Sequence, residues 1–205
     1  MEYYIHSVPV FVTGVTQEGV NLPLFCQEVE ETLNSNLFKN IDVVYIGDFQ
    51  ELQGRNAAFA NGAIYMTALE PTNFDMVENF VHETAHSLED QYGWQIYTKN
   101  LKDEFLGKRQ RLYHLLTAEG FHIDPALYAD TEYNKTFDEF LANEVGYPML
   151  LTLTMGLFAS PYGATSLQEY FANGFEKYIL DSPQHVRDIS PVLYRKIEEI
   201  INDEA

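Results

Sequence analysis

The sequence predicts a single α+β domain over residues 1–205, in which a small mixed β-sheet is followed by helices. A chain of 205 residues suits one domain, because a domain usually takes roughly 100 to 200 residues. Alternating and β-branched strand patterns occur in residues 1–70, whereas helical periodicity dominates residues 71–205. Strands grouped ahead of helices are typical of the α+β class. With 46% hydrophobic and 14% aromatic residues, the chain is able to bury a core.

The first elements alternate between strand and helix. Val8 to Val12 is a strand pattern, and Pro9 within it favours an edge position because proline cannot donate a ladder hydrogen bond. Leu22 to Leu37 has apolar residues at helical spacing, with acidic residues opposite them. Ile41 to Ile46 is short, β-branched and bounded by turn residues, so we predict a second strand there.

A β-hairpin is predicted next. Two apolar runs, Ala57 to Ala60 and Ala63 to Leu69, flank the dipeptide Asn61-Gly62. This dipeptide accepts the positive φ angles of a two-residue hairpin turn. If Ala63 to Thr67 is an edge strand, its backbone could pair with an extended peptide, whereas an internal position would leave no free edge.

The first long helix begins after Pro71. Thr72 and Asp75 have the spacing of a capping box, and Gly93 is the predicted C-cap after a helix that runs to about Tyr92. Further helices are predicted over Trp94–Ala118 (continuous, or broken at Gly107), over Thr136–Val145, from a Thr165–Gln168 capping box to about Leu180, and from Ser190-Pro191 to about Ile201.

Charge and composition exclude several functions. The formal net charge is −19 and the pI about 4.5, so the phosphate backbone of a nucleic acid would be repelled. A basic peptide would be attracted, although an acidic surface equally serves solubility. Cys26 is the only cysteine, which rules out an internal disulfide. The uncharged stretch from Val145 to Gln168 is broken by glycine and proline, so we expect no membrane anchor.

The motif His82-Glu83-Thr84-Ala85-His86 (H-E-x-x-H) carries the chemistry. Residues four apart lie on one face of a helix, so both imidazoles can bind one ion. Glu83 points about 100° away from His82, where it can act as a general base without binding the metal. Apolar neighbours at helical spacing support the helix: Phe74, Val77, Val81, Ala85 and Leu88. The alternative is that these polar side chains only hydrogen bond on a solvated face.

A catalytic zinc usually has three protein ligands and an open position, so a third donor must come from elsewhere in the chain. Glu169 is our candidate, and Glu176, two turns later on the same face, is its rival. His114 and His122 could also serve, but no fixed spacing connects them to the motif.

The sequence also resembles a known family. His82 to His86, followed by the run Glu169-Tyr170-Phe171-Ala172-Asn173-Gly174-Phe175, is similar to the anthrax lethal factor catalytic domain family, which includes the Pro-Pro endopeptidases. Tyr162-Gly163 precedes Glu169 by seven residues, where that family has its catalytic tyrosine. Ser190-Pro191-Val192-Leu193-Tyr194 resembles the start of the family's last helix.

This resemblance implies a zincin-like metallopeptidase domain, with a sheet lobe, a helical lobe and the active-site helix between them. It implies one Zn²⁺ per chain on His82, His86 and Glu169, with Glu83 as general base and Tyr162 as oxyanion donor. The implied activity is zinc-dependent hydrolysis of a peptide bond in an extended peptide or protein, for which the acidic charge favours a basic segment.

Two positions depart from the family pattern. Asn173 replaces a second glutamate, which predicts weaker support for the zinc ligands. The segment of about residues 95–160 is longer than in the family and reads as an insertion. Glu89, one turn beyond His86, occupies the position of an acid that orients a histidine ligand.

A different class of function also fits the sequence. A non-catalytic or self-processing assembly protein, for example of a viral particle, could retain a zincin fold. The first six residues lack the basic start and apolar core of a secretory signal, so we expect a cytoplasmic or virion-associated protein. The sequence contains no signal for a particular oligomeric state.

Overall fold

Two groups of buried side chains organise the chain, one in each of two compact units. The first unit contains the residues up to Gly93 together with Asp203, and the second contains Trp94–Asn202. The structure is a computed structural model and describes residues 2–203. Five strands precede most of the helices, which confirms the α+β class.

The first unit contains a mixed five-stranded sheet. Its strands are β1 (Tyr3–Ile5), β2 (Val8–Val12), β3 (Val43–Ile46), β4 (Ala57–Ala60) and β5 (Ala63–Met66). The strand order is β1-β2-β3-β5-β4. The three central strands are parallel, and the two edge strands run antiparallel to their neighbours.

Strand alternation separates two faces of this sheet. Val10, Val44 and Ile64 point to one face and are almost completely buried. We call this the inner face. The helices of this unit are α1 (Leu22–Thr32), which is followed by a 3₁₀ turn at Ser35–Phe38, and α2 (Asn73–Ile96). They supply buried rings that contact one another, since Phe80 lies 6.0 Å from Phe25 and 5.8 Å from Phe38 between centroids.

The predicted hairpin is confirmed, and it determines which strand lies at the edge. Asn61 and Gly62 have φ angles of 51° and 78°, as a two-residue turn requires. β5 pairs with β3 on one side and with β4 on the other. The alternative that Ala63 to Thr67 forms an edge strand is therefore wrong, and the free edge belongs to β4.

Pro9 does not lie in an edge strand, because β2 pairs with both β1 and β3. The pairing with β3 starts only at Val10, so the missing N–H of Pro9 is not needed on that side. On the other side Pro9 lies opposite Tyr4, one pair beyond the two-residue turn, where backbone groups do not exchange hydrogen bonds. The prediction of an edge position failed because proline is also tolerated at such unpaired positions.

The start of α2 is confirmed, and its end lies beyond the predicted residue. Thr72 Oγ1 accepts a hydrogen bond from Asp75 N at 3.2 Å. Gly93 is not a C-cap, since the helix continues to Ile96 and Gly93 lacks the positive φ of such a cap. Tyr92 and Ile96 are buried, and their packing offsets the roughly 1 kcal/mol that a helical glycine costs.

The second unit is helical. Its helices are α3 (Lys99–Ala118), α4 (Lys135–Glu139), α5 (Tyr147–Thr154), α6 (Leu167–Leu180), α7 (Pro183–Ile189) and α8 (Pro191–Ile201). α3 is continuous through Gly107, and the break in the predicted region Trp94–Ala118 lies at Tyr97 and Thr98, between α2 and α3. A π-helical segment, Phe140–Gly146, joins α4 to α5. Among residues 2–203, no helix is both long and apolar enough to cross a membrane.

Buried charges of α3 hold this unit together. Lys108 Nζ donates to Ile189 O at 2.7 Å and to Ser190 Oγ at 2.9 Å, and burial lowers the pKa of this lysine to about 8. Glu104 accepts hydrogen bonds from Val192 N and Leu193 N at 2.8 and 3.1 Å. The first turn of α8 is therefore capped by a carboxylate from α3, while the hydroxyl of Ser190 accepts the Lys108 bond.

Candidate metal centre

Helix α2 places the H-E-x-x-H residues in its central turns. Val81 and Ala85 are fully buried on its apolar stripe, whereas His82 and His86 are partly exposed. The predicted stripe is confirmed except at Phe74, which is 58% exposed because it lies in the first turn of the helix. The two histidines therefore lie beside the buried stripe, on the same face of a regular helix.

The two imidazoles face each other through their Nε2 atoms. These nitrogens lie 3.3 Å apart, and the ring planes are inclined by 71°. Two nitrogens bound to one tetrahedral zinc, each about 2.05 Å from it, also lie about 3.3 Å apart. The spacing of these two side chains therefore fits shared coordination of one zinc ion.

Glu89 orients the second histidine. Its Oε1 lies 2.7 Å from Nδ1 of His86, so Nδ1–H donates to the carboxylate when the ring is neutral. The proton is then on Nδ1, and the lone pair of Nε2 points toward His82. This carboxylate contact is typical of metal-binding histidines, and it lies where the sequence predicted it.

Glu83 is 8% exposed and points to the sheet edge. Its Oε2 accepts a hydrogen bond from Phe59 N of β4 at 2.7 Å. Phe59 lies opposite Ile64, one pair from the hairpin turn, so its backbone groups point away from β5. No described residue hydrogen bonds to the second oxygen, Oε1. One oxygen is thus anchored, and the other can accept a proton.

Glu169 lies in the first turn of α6, in the second unit. The N-cap of this helix is Ser166, whose Oγ accepts a hydrogen bond from Glu169 N at 3.1 Å. The predicted Thr165–Gln168 capping box is therefore displaced by one residue, because Thr165 Oγ1 donates to Tyr162 O instead. The side chain of Glu169 is partly exposed, as is that of its rival Glu176.

Tyr162 begins a single 3₁₀ turn, Tyr162–Ala164, that packs on α6. A Cβ placed on Gly163 would lie 3.5 Å from Cβ of Asn173 and 3.7 Å from the carbonyl oxygen of Glu169. These are ordinary van der Waals distances, so the turn packs directly on the helix that carries Glu169. Within the second unit, the tertiary structure brings these two predicted site residues onto neighbouring segments.

A buried guanidinium fixes the same turn from the other side. Arg109 of α3 is fully buried, and its NH1 donates to Ala164 O at 2.6 Å and to Thr165 O at 3.2 Å. It also donates to Leu127 O and stacks 4.1 Å from the ring centroid of Phe137. Burial lowers the pKa of Arg109 to about 10. Sequence reasoning missed this contact, because an arginine on a helix is usually exposed.

Asn173 is a positioning residue that the sequence did not reveal. Its Nδ2 donates to Glu169 O at 2.8 Å, and its Oδ1 accepts from the hydroxyl of Ser160. Ser160 precedes Tyr162 by two residues, so this amide connects the backbone of Glu169 with the segment that carries Tyr162. A carboxylate could not donate the first of these bonds.

The predicted insertion forms a wall around Tyr162. A cavity of about 10 Å³ beside this residue is close to the size of one water molecule. Its lining comes from α4, from the π-helical segment, from α5 and from the Tyr162 segment: Asp138, Leu141, Ala142, Tyr147, Leu150, Pro161, Tyr162 and Thr165. The residues between about 95 and 160 thus shape the surroundings of the predicted oxyanion donor.

Comparisons with protein-family models, with curated proteins and with solved structures find no match for this chain. The resemblance of the motifs to a known family therefore supports a proposed function but does not assign the chain to that family.

The role of Asn173 predicts a specific loss of stability. Asn173→Ala should lower the free energy of unfolding by about 1–3 kcal/mol, because it removes both hydrogen bonds of this buried amide. Urea unfolding followed by circular dichroism measures the change. Asn143→Ala, at an exposed position, is the matched control and should change stability by less than about 0.5 kcal/mol. Equal effects of the two substitutions would contradict the role of Asn173.

Proposed function

We propose that this protein is a zinc-dependent endopeptidase with a zincin-like fold. The observation that carries the proposal is the pair of Nε2 atoms of His82 and His86, 3.3 Å apart on α2, with the second ring oriented by Glu89. A hydrogen bond between the two rings would give the same separation, so the carboxylate on Nδ1 of His86 is the feature that favours metal binding.

The proposed ligands of one Zn²⁺ per chain are His82, His86 and Glu169. Each of these three side chains is of a type that binds zinc. Two imidazoles and one carboxylate are a known donor set of catalytic zinc, which keeps a position open for water or substrate. In such a site the ion supplies Lewis-acid catalysis and makes water nucleophilic near neutral pH.

Glu83 is the proposed general base. Its Oε2 is held by the backbone of β4, which fixes the direction of the carboxylate. Its Oε1 would take a proton from the attacking water and then deliver it to the amine leaving group. An anchored carboxylate of this kind loses little entropy when the reaction begins.

Tyr162 is the proposed oxyanion donor. Its phenol would donate a hydrogen bond to the substrate oxygen, on which negative charge develops in the transition state. Arg109 binds a backbone carbonyl that follows this residue, and Asn173 binds the hydroxyl of Ser160 that precedes it, which favours a fixed position of the turn. The seven-residue separation from Glu169, known from the family resemblance, supports the same assignment.

The proposed substrate is an extended peptide or protein segment that pairs with the free edge of β4. At Phe59 the outward N–H is bound by Glu83, and the outward carbonyl can accept a hydrogen bond from an added strand. A peptide on this edge would lie next to the general base. The net charge of −19 favours substrates with basic residues.

The metal assignment predicts about one zinc per chain after purification from zinc-containing medium, measured by elemental analysis. The double variant His82→Ala, His86→Ala should retain less than a tenth of this zinc, because one carboxylate alone binds the ion weakly. Glu169→Gln should weaken zinc binding, whereas Glu176→Gln should not. His114→Ala is the matched histidine control. Full zinc content in the double variant would contradict the proposal.

For catalysis, Glu83→Gln should retain zinc and lose at least about 100-fold in kcat, because an amide cannot accept the proton. Cleavage of a peptide library, analysed by mass spectrometry, provides the substrate for this measurement. Asp90→Asn, an exposed carboxylate on the same helix, is the control and should have wild-type activity. Unchanged cleavage in Glu83→Gln would exclude this residue as base. A folded, zinc-loaded protein that cuts no library member would favour the assembly-protein alternative.

Tyr162→Phe tests the oxyanion donor separately from binding. We expect kcat and kcat/KM to fall together by roughly 10- to 1000-fold while KM and zinc content change little. Tyr4→Phe, an exposed tyrosine on β1, is the control. If steady-state rates of Tyr162→Phe stay within about twofold of wild type, its ring only packs and another group must stabilise the charge.

A further inference from the structure

The outer face of the sheet carries a row of aromatic rings. Phe11, Tyr45 and Tyr65 lie opposite one another on β2, β3 and β5. The ring centroids of successive members are 5.8 and 5.3 Å apart, with interplanar angles of 25° and 22°. Phe49 packs against both tyrosines, 5.6 Å from each. We call these four residues the aromatic ladder.

The ladder is open to solvent. Phe11 is 53% exposed, and the other three side chains are partly exposed. Adjacent residues of the same strands, such as Val10 and Val44, point to the inner face and are buried. The ladder therefore lies on the face opposite the core of this unit, and its exposure is not needed to fill that core.

The ring faces have no cationic partner within the described part of the chain. Among residues 2–203, no lysine or arginine lies over any ring of the ladder. In the second unit, by contrast, Lys108 is 5.4 Å from the ring centroid of Tyr170 and Arg109 is 4.1 Å from that of Phe137.

The charge around the ladder is strongly negative. Residues 1–93 contain fourteen Asp and Glu side chains against two basic ones, Lys39 and Arg55. Asp48 and Glu51 are exposed on the segment that carries Phe49. Partial burial, and after it the carboxylate of Glu51, raises the pKa of Tyr65. Electron-rich ring faces within a negative field attract guanidinium and ammonium groups.

We propose that the aromatic ladder is a docking surface for a basic segment of a partner protein, whose arginine or lysine side chains stack on the rings. Charge complementarity decides this occupant, since a nucleic acid or a second copy of this acidic chain would be repelled. Side chains two apart in an extended segment are about 7 Å apart, so alternate basic residues can reach neighbouring rings. The proposal does not depend on the proposed metal centre or on catalysis.

The experiment uses the full chain with Glu83→Gln, so that the proposed peptidase cannot consume the probe. The probe is a fluorescein-labelled peptide with three arginines at alternate positions, titrated by fluorescence anisotropy. A peptide with citrulline in place of each arginine has almost the same shape without the charge. We expect the arginine peptide to bind at least tenfold more tightly, with an affinity that falls as salt is raised.

Substitutions in the ladder test whether the peptide binds through the aromatic ring faces or through apolar contact in general. Phe11→Leu and Tyr45→Leu should each weaken binding roughly 2- to 30-fold, because leucine is apolar but lacks a π face, while Phe11→Trp should strengthen it. Asp48→Asn should weaken binding and reduce its salt dependence. Glu31→Gln, at an exposed acidic position on α1, is the charge control. Melting curves verify that each variant is folded.

Three results would overturn the proposal. Wild-type affinity in both leucine variants would place the peptide elsewhere on the acidic surface. Equal binding of the citrulline peptide would indicate an apolar partner. Sedimentation that shows a dimer of the wild type, converted to monomer by Phe11→Leu, would identify a second copy of the chain as the occupant.

Discussion

The arrangement of the second unit depends on two cations of α3 that are buried among backbone carbonyls. A buried charge is costly unless hydrogen-bond acceptors surround it, so Lys108 and Arg109 each require several carbonyl or hydroxyl oxygens at fixed positions. Those oxygens belong to the Tyr162 turn and the residue after it, to the junction of α7 with α8, and to the carbonyls of Leu127 and Leu157. Because Lys108 and Arg109 need these acceptors, they bring together segments that are far apart in sequence. One of these segments carries the proposed oxyanion donor.

In the first unit, one helix carries both part of the buried core and the proposed metal ligands. The buried stripe of α2 contributes to the core, and the adjacent stripe presents His82 and His86. Glu83 connects this helix to β4 by accepting a hydrogen bond from the N–H of Phe59. This bond fixes the proposed base relative to the sheet edge. The core side chains and the two histidines do not compete for the same positions, because the 3.6-residue period of the helix places them on different stripes.

Negative charge and aromatic surface are concentrated in the same unit. Acidic residues outnumber basic ones sevenfold in residues 1–93, and the outer sheet face adds the aromatic ladder. The field would draw basic segments toward this unit, and ring faces could retain them at short range. The proposed substrate edge on β4 and the proposed docking face on β2, β3 and β5 belong to the same sheet.

Local spacing in the sequence determined the H-E-x-x-H helix, the Asn61-Gly62 hairpin, the start of α2 and the proximity of Glu89 to His86. These features depend on residues within one or two turns of each other, where backbone geometry leaves few choices. Only the tertiary structure decided that β4 is the edge strand, that Pro9 lies in an internal strand, that Arg109 holds the Tyr162 turn and that Asn173 connects this turn to Glu169. Strand order and buried polar partners depend on contacts between distant segments, which no local pattern encodes.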